Sequence, residues 1–533
     1  MENIWWKNAV GYQIYIRSFF DSNSDGIGDL NGITEKLDYI KNLGVNFIWI
    51  CPFYDSPMDD NGYDVRDYYK IDKMYGKMED LKKLISAAHK RDIKVVIDLV
   101  LNHTSDENKW FINSENKVEP YTDFYVWRDG KVIDGQHYPP NNWISFFSGP
   151  AWKYSEKRKQ YYLKIFSNKM PDINYENETA FAEMEKVIDF YGELKVDGFR
   201  VDAIAHIGKD LTFADAKNPK KTYKSFSNLP NTHQYLKRFN KTFAKNNLVT
   251  MGELGGDPSK KDLIKYTTEK ELDMIFSFEQ NDVFRKNSTI NVRKLYKTLK
   301  YKEYLSSKNG WSVLFWLNHD YPRLISKIKN EEDSKNAQIC LAGLMYMLKG
   351  TPIIYNGEEI GMENYPFKSP SDFKDVNAKM IFDNAKDINK AFNELKETSR
   401  DHSRTVMQWN NSKYAGFSTN KPWTYVNNNY KKCNVEKEQS DSQSMLNNYI
   451  KLINVRNNYG NDLINANYKI FNKRGVVGYT ITNNNYELKV LANFSKKEQP
   501  LNLKSTDEII YSNLKSKDIL KRYQICIIKT SKQ

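Results

Sequence analysis

The chain has 533 residues and carries 80 Lys+Arg against 67 Asp+Glu, a formal charge of +13 with a pI near 9.0; that length implies more than one domain unless a large barrel absorbs most of it. The basic excess is scattered among asparagines and tyrosines rather than gathered into a run, so it reads as solvated surface and argues against a nucleic-acid partner. No apolar stretch approaches the roughly 18 residues of a membrane helix, Met1–Trp6 lacks the regions of a signal peptide, and the four cysteines at 51, 340, 433 and 526 have neither disulfide nor metal spacing, so a reducing cytoplasm is the expected setting.

Residues 10–20 read as a first strand, followed by a loop over 21–29 with carboxylate and amide oxygens at alternate positions and Gly26 for the turn. That is the donor set of a hard cation such as Ca2+ or Mg2+. The loop is not an EF-hand, because a strand precedes it and Gly32 stands at the twelfth position. A helix with Ile33, Leu37, Ile40 and Leu43 on one face leads to a second strand over 45–50. The helix around Leu81, Leu84, Ile85 and Ala88 leads to a third over 93–100, which ends in Asn102-His103. From 105 to 174 the rhythm breaks into a turn-rich insertion whose tryptophans, 110, 127, 143 and 152, read as core rather than sugar platforms. A helix over 178–194 precedes the strand that holds Arg200 and Asp202, and one near 232–245 precedes 248–253, which ends in Glu253. Further strands are predicted at 274–278, at 312–317 before Asn318-His319-Asp320, and at 352–355. A helix over 444–458 then gives way to a tail with strand alternation at 475–482 and 488–494.

Eight strand–helix units with continuously apolar strands predict an α/β chain built as a (β/α)8 TIM barrel, because parallel strands are buried on both faces. The expected division is a barrel over 1–104 and 175–460, a domain over 105–174 inserted after strand 3, and a C-terminal antiparallel β domain, a sandwich, over 461–533. His103, Asp202, Glu253 and Asp320 all fall at strand C-terminal ends, the face where barrel enzymes keep their sites. Arg200, two residues before Asp202, holds that carboxylate ionised, as a nucleophile requires, although a lone R-x-D is more often a structural ion pair. Carboxylates in an aromatic-rimmed pocket, with histidines and no fingerprint of an organic cofactor, point to glycosidic bond cleavage.

On the blocks Asp98–Ser105, Gly198–Ala203, Gly252-Glu253 and Phe315–Asp320, together with Asp59–Asp64, the chain resembles the α-glucosidases of glycoside hydrolase family 13, of the oligo-1,6-glucosidase and α-1,4-glucosidase type, from Trp5 to the tail. The resemblance implies Asp202 as nucleophile, Glu253 as general acid/base, and Asp320 as the carboxylate that binds sugar hydroxyls and favours ring distortion. It implies that Asp60, Tyr63, His103, Arg200, His319 and Arg404 line a pocket for a non-reducing glucose. By the same resemblance the loop over 21–29 holds a structural Ca2+, with Mg2+ the alternative, through Asp21, Asn23, Asp25, the Ile27 carbonyl and Asp29. The insertion becomes the family's B domain, which closes one wall and favours exo-cleavage of short substrates. Val406, Ser24 and Met170 depart from the family's usual proline, glycine and glutamine.

In the family, valine after the nucleophile accompanies α-1,6 preference, so Ala203 points to α-1,4 substrates such as maltose, or to sucrose. The implied protein is a monomeric, cytoplasmic, retaining α-glucosidase of small oligosaccharides, with no organic cofactor and no nucleic-acid or membrane partner. Oligo-1,6-glucosidase, trehalose-6-phosphate hydrolase, sucrose isomerase and a non-catalytic transporter-associated relative are the alternatives.

Overall fold

The computed structural model describes residues 4–516 and 518–532. The start of the Met1–Trp6 stretch and the outermost domain limits, 1 and 533, lie outside the described residues. Eight parallel strands make one sheet: β1 (Gly11–Ile14), β2 (Phe47–Ile50), β3 (Lys94–Val100), β4 (Gly198–Asp202), β5 (Val249–Glu253), β6 (Met274–Phe276), β7 (Val313–Leu314) and β8 (Thr351–Tyr355). They pair in the order β6-β5-β4-β3-β2-β1-β8-β7, and a parallel bridge between Ile275 and Ser312 closes the ring. The sequence is thus a TIM barrel.

Alternation along each strand decides what the barrel encloses. Phe47, Trp49, Val96, Met251, Phe276, Phe315 and Ile353 pack together inside it, while Ile48, Ile50, Phe199 and Val201 face the surrounding helices. Gly198 is required by this packing, since a Cβ there would come within 2.3 Å of Val249. In register, Arg200 lies opposite Asp98 on β3 and Met251 on β5, and Val201 lies opposite Gly252. Arg200, Asp202, Asp98 and Glu253 therefore share the inward face near one end of three adjacent strands.

Several elements differ from expectation. The first strand stops at Ile14 rather than continuing to 20, because the Tyr15 amide donates to the Asn356 side chain at 2.9 Å and Ile16–Ser18 turns as a 3-10 helix. The helix expected over 33–43 is two pieces, Leu30–Glu35 and Leu37–Leu43, broken at Lys36. The seventh strand is only Val313–Leu314; Phe315, Trp316 and Leu317 are buried through side-chain packing, outside the ladder. The late helix runs from Met445 to Asn465, past the expected boundary at 461, because Tyr449, Leu452, Ile453, Arg456, Gly460 and Leu463 continue the buried stripe.

The segment between β3 and β4 carries a three-stranded antiparallel sheet from Trp127–Arg128, Gln160–Leu163 and Trp152–Ser155. Trp110, Trp127, Trp143 and Trp152 are buried within it. Past the long helix, an antiparallel sheet runs in the order β9 (Asn467–Lys473), β10 (Val476–Thr482), β11 (Tyr486–Asn493), β13 (Ile525–Ser531), β12 (Asp507–Ser512). It is tied to the barrel by Tyr479, whose hydroxyl donates to the Leu344 carbonyl at 2.9 Å, and by Tyr511, which bonds Asn448 at 2.8 Å. Among the described residues no helix is long and apolar enough to cross a membrane. Cys51 and Cys340 lie in the core.

Candidate active site

The C-terminal ends of β3, β4, β5 and β7 meet over the barrel interior, and Arg200 is the hub. Its Nη1 donates to Asp98 at 2.6 Å and to Asp202 at 2.7 Å, and its Nη2 donates to Glu253 at 2.5 Å. The guanidinium is fully buried over Trp49, so three carboxylates offset the cost of removing it from water. Asp98 also accepts from the Trp49 indole at 2.8 Å; burial pushes its carboxyl up to about 6 against the pull of Arg200. Burial likewise raises Asp202 well above the ordinary carboxylate range against the pull of Arg200, with Glu253 and Asp98 adding to the effect. Contrary to the expectation from the R-x-D spacing, Arg200 does not by itself hold this carboxylate ionised.

A second network forms after β7. The Gln13 amide meets His319 Nδ1 at 2.8 Å, which leaves the ring proton on Nε2, toward the Tyr63 hydroxyl at 2.7 Å and Asp320 at 3.3 Å. Tyr63 stacks on that ring at 5.4 Å. Burial holds both His319 and His103 down to about 3, so each is neutral at ordinary pH. Asn102 engages His103 Nδ1 at 3.1 Å, and the buried Nε2 has no hydrogen-bond partner among the described residues. Burial would raise Asp320, yet His319, which turns its Nε2 toward the carboxylate, and the cations Arg400 and Arg404 outweigh it and hold the carboxyl well below its usual range.

These groups line a cavity of about 170 Å3, bounded by Asp60, Tyr63, His103, Asp202, Glu253, His319, Asp320 and Arg400, with Phe147, Phe166, Met170 and Ala203 on its apolar side. Of the expected pocket residues, Arg200 lies beneath the cavity and Arg404 behind Asp320, which it reaches at 3.0 Å while bonding Asp375 at 2.8 Å. Arg400 stands at the wall instead. Its guanidinium contacts Asp60 at 2.8 Å, Asp375 at 2.7 Å and Asp320 at 3.3 Å, and lies 5.4 Å from the Phe147 ring. Sequence reasoning missed Arg400 and Asp375, which sit in the long connection after β8 without a local strand or motif to mark them. It also missed Lys209, whose buried ammonium meets Asp172 of the insertion at 3.0 Å and Asn102 at 2.9 Å. Met170, noted for replacing a family glutamine, contributes an apolar surface to the wall.

In the loop over 21–29, Asp21 accepts from the amides of Asn23, Ser24 and Gly26, Asn23 from Asp25, and Asp25 from Ile27, while Asp29 caps the next helix through Gly32. The donor set is all oxygen, as a hard cation requires. Among the described residues no three acidic, histidine or cysteine side chains converge as a metal cluster; a cation here would depend on the Asn23 amide and the Ile27 carbonyl beside the carboxylates.

A parallel barrel whose strand ends present a guanidinium-bridged carboxylate pair and a third acid in a small cavity walled on one side by Phe147, Phe166 and Met170 is the framework of a glycoside hydrolase. Comparison with known proteins agrees. Residues 13–465 match the model of the alpha-amylase catalytic domain. The chain is 40% identical to an oligo-1,6-glucosidase of Bacillus cereus, covering 96% of this chain and 95% of that protein. It is 39% identical to a glucan 1,6-alpha-glucosidase of Streptococcus pneumoniae, covering 98% and 97%. The crystal structure of a trehalose-6-phosphate hydrolase of Bacillus licheniformis superposes with a TM-score of 0.90 at 36% identity, over 99% of this chain and all of that one (100%). The chain belongs to the α-amylase family, glycoside hydrolase family 13, and is a hydrolase of its α-glucosidase group.

Proposed function

We propose that the chain is a retaining, exo-acting α-glucosidase of short α-glucosides. The observation that carries this reading is that Asp202, Glu253 and Asp320 line one cavity and that a single guanidinium holds the first two. At about 170 Å3 the cavity falls below the roughly 300–1,000 Å3 of drug-sized sites and suits one hexose ring. Arg400, clamped to Asp60 and Asp320, closes its wall.

Asp202 attacks the anomeric carbon as Glu253 gives its proton to the departing glycosidic oxygen, forming a glucosyl ester on Asp202. Glu253, now a carboxylate, takes a proton from water, which attacks the same carbon and frees Asp202. Double displacement needs the two carboxyls about 5–5.5 Å apart, against about 6.5–9.5 Å in inverting sites; Arg200 holds both acids through the two ends of one guanidinium. Asp320, kept ionised by its cationic neighbours, accepts from the sugar hydroxyls, and neutral His103 donates to one.

Ala203 lies on the cavity wall and favours α-1,4 bonds such as maltose's, with sucrose a further substrate. A second reading, α-1,6 cleavage, is supported by the names of the Bacillus cereus and Streptococcus pneumoniae relatives. Initial rates on maltose, isomaltose, sucrose and trehalose 6-phosphate, with Asp202→Asn alongside, test both. Maltose or sucrose fastest with a dead variant supports the main reading; isomaltose fastest transfers the bond preference to the second. No turnover of any substrate overturns the hydrolytic assignment. We also propose that the loop over 21–29 takes a structural Ca2+ or Mg2+ through Asp21, Asn23, Asp25, the Ile27 carbonyl and Asp29, since all its donors are oxygens.

A further inference from the structure

Gln13 stands on β1 opposite Trp49 of β2 and Tyr355 of β8, fully buried and outside the lining of the cavity. Its amide nitrogen serves two side chains. One N–H donates to His319 Nδ1 at 2.8 Å and the other to the Cys51 sulfur at 3.3 Å. Cys51 is buried as well, and burial raises its thiol far above the ordinary range, so the sulfur stays uncharged and is a weak acceptor.

From His319 the chain of contacts continues toward the catalytic acids. Its Nε2 meets the Tyr63 hydroxyl at 2.7 Å, that hydroxyl lies 3.5 Å from Asp98 Oδ2, and Asp98 Oδ1 accepts from Arg200 at 2.6 Å. With Gln13 donating, every link runs one way: amide to Nδ1, Nε2–H to the Tyr63 oxygen, and the Tyr63 proton to Asp98. Turned about, the amide would present Oε1 to Nδ1 and draw the ring proton there. The bare Nε2 would then face the Asp320 carboxylate, 3.3 Å away, lone pair against charge. In the orientation present, Gln13 Oε1 is buried without a partner among the described residues, so the amide is held by what its nitrogen does.

We propose that Gln13, anchored by Cys51, is a positioning residue for the reaction: it sets the direction of this hydrogen-bond chain and keeps the His319 proton on Nε2. That proton serves Asp320 and Tyr63 at the cavity wall, and the Tyr63 proton serves Asp98 beside Arg200. This rests on the α-glucosidase reading above and adds to it two residues outside the cavity.

The tautomer is read by 15N NMR of the full chain labelled at histidine, with the His319 signals identified by their loss in His319→Gln. The expected wild-type ring is neutral and protonated at Nε2; a proton on Nδ1 overturns the proposal whatever the variants do. Gln13→Glu keeps the side chain's shape and changes only what it offers Nδ1. Protonated, the carboxyl donates as the amide does; ionised, it only accepts and draws a proton onto Nδ1. As pH rises, kcat/KM of this variant relative to wild type, on the fastest α-glucoside, should fall by about 10- to 100-fold, the weight of a hydrogen bond to a charged group. Nδ1 should gain its proton over the same range. A ratio that stays level, or one that falls while the ring stays protonated at Nε2 alone, overturns the proposal. Cys51→Ser keeps an acceptor and should keep the rate that Cys51→Val loses in part; equal rates in the two overturn the role given to Cys51. If the wild-type protein cleaves no α-glucoside, the catalytic reading fails separately, and the ring signals of wild type and Gln13→Glu still decide what Gln13 does.

Discussion

Nη2 of Arg200 lies 2.5 Å from Oε2 of Glu253 while Nη1 of the same guanidinium holds Asp202 at 2.7 Å. One planar fork thus holds both acids, each by its own nitrogen. A lysine supplies the charge but only a point of it. Arg200→Lys is expected to lower kcat by about 10²-fold or more, on the scale of removing one preorganised electrostatic contact. The acid limb of its pH–rate profile should move as well, which a purely structural loss would not produce.

Glu253→Gln should reveal the proton donor. General acid–base catalysis contributes about 10²–10⁴-fold, so kcat on maltose should fall by that order. An aryl α-glucoside with a weakly basic leaving group needs little protonation, and its first step should fall much less. Equal losses on both substrates would remove Glu253 from the acid role.

The convergence of these acids was legible because parallel strands are written as unbroken apolar runs, so the polar residue that ends each one stands out. Asp202, Glu253 and the His319-Asp320 pair were each found that way, and register alone brings Arg200 beside Asp98. Arg400 and Asp375 were not legible. They meet through ion pairs across a long connection, and no periodicity encodes such a contact. The first strand failed for a related reason: its later residues are apolar, but the Asn356 side chain, distant in sequence, takes the Tyr15 amide.

Lys209 and Asp172 join the barrel to the insertion through a buried pair 3.0 Å apart. Breaking such a pair from one side leaves a buried charge and costs about 3–5 kcal/mol. Lys209→Met should therefore lower the unfolding midpoint sharply, and adding Asp172→Leu should recover part of the loss. Denaturant unfolding of the single and double variants checks this; additive losses would show that the two side chains are not coupled.

His402 provides a pH test outside the cavity. Its Nε2 bonds the Lys396 carbonyl at 2.9 Å, and burial lowers the ring to about 3. The unfolded chain titrates this residue near 6.5, so between about 6.5 and 3 the unfolded state binds a proton that the folded state refuses. Stability from this group is complete above 6.5 and is lost as the pH falls through that window, by up to about 1.4 kcal/mol per pH unit. His402→Gln should flatten the slope of stability against pH there by that amount. Urea midpoints at several pH values between about 6.5 and 4.5 measure it, and an unchanged slope would contradict the assignment.

Chelation tests the loop over 21–29. If its oxygens hold a divalent cation, EDTA should lower Tm, and restoring Ca2+ or Mg2+ should raise it; ligand at 100 times Kd stabilises by about 2.7 kcal/mol. Asp21→Ala should abolish the response to both. A chelator that leaves the wild-type Tm unchanged would show that the loop stands on its own Asp21 and Asp25 hydrogen bonds.

Ala203 follows Asp202 with φ 46° and ψ 30°, a left-handed backbone that β-branched residues enter at a cost. Ala203→Val therefore carries two separable effects. Stability should fall by about 1–2 kcal/mol from the backbone, read from the denaturant midpoint. The added methyls also narrow the wall beside Glu253, whose Oε2 lies 3.4 Å from the Ala203 amide. Shape differences of this size discriminate by about 1–3 kcal/mol, so the ratio of kcat/KM for isomaltose over maltose should rise by about tenfold or more. Because each ratio is taken on one preparation, loss of folded protein cancels from it. A ratio that does not move, at whatever stability, would show that the bond preference is set elsewhere on the wall.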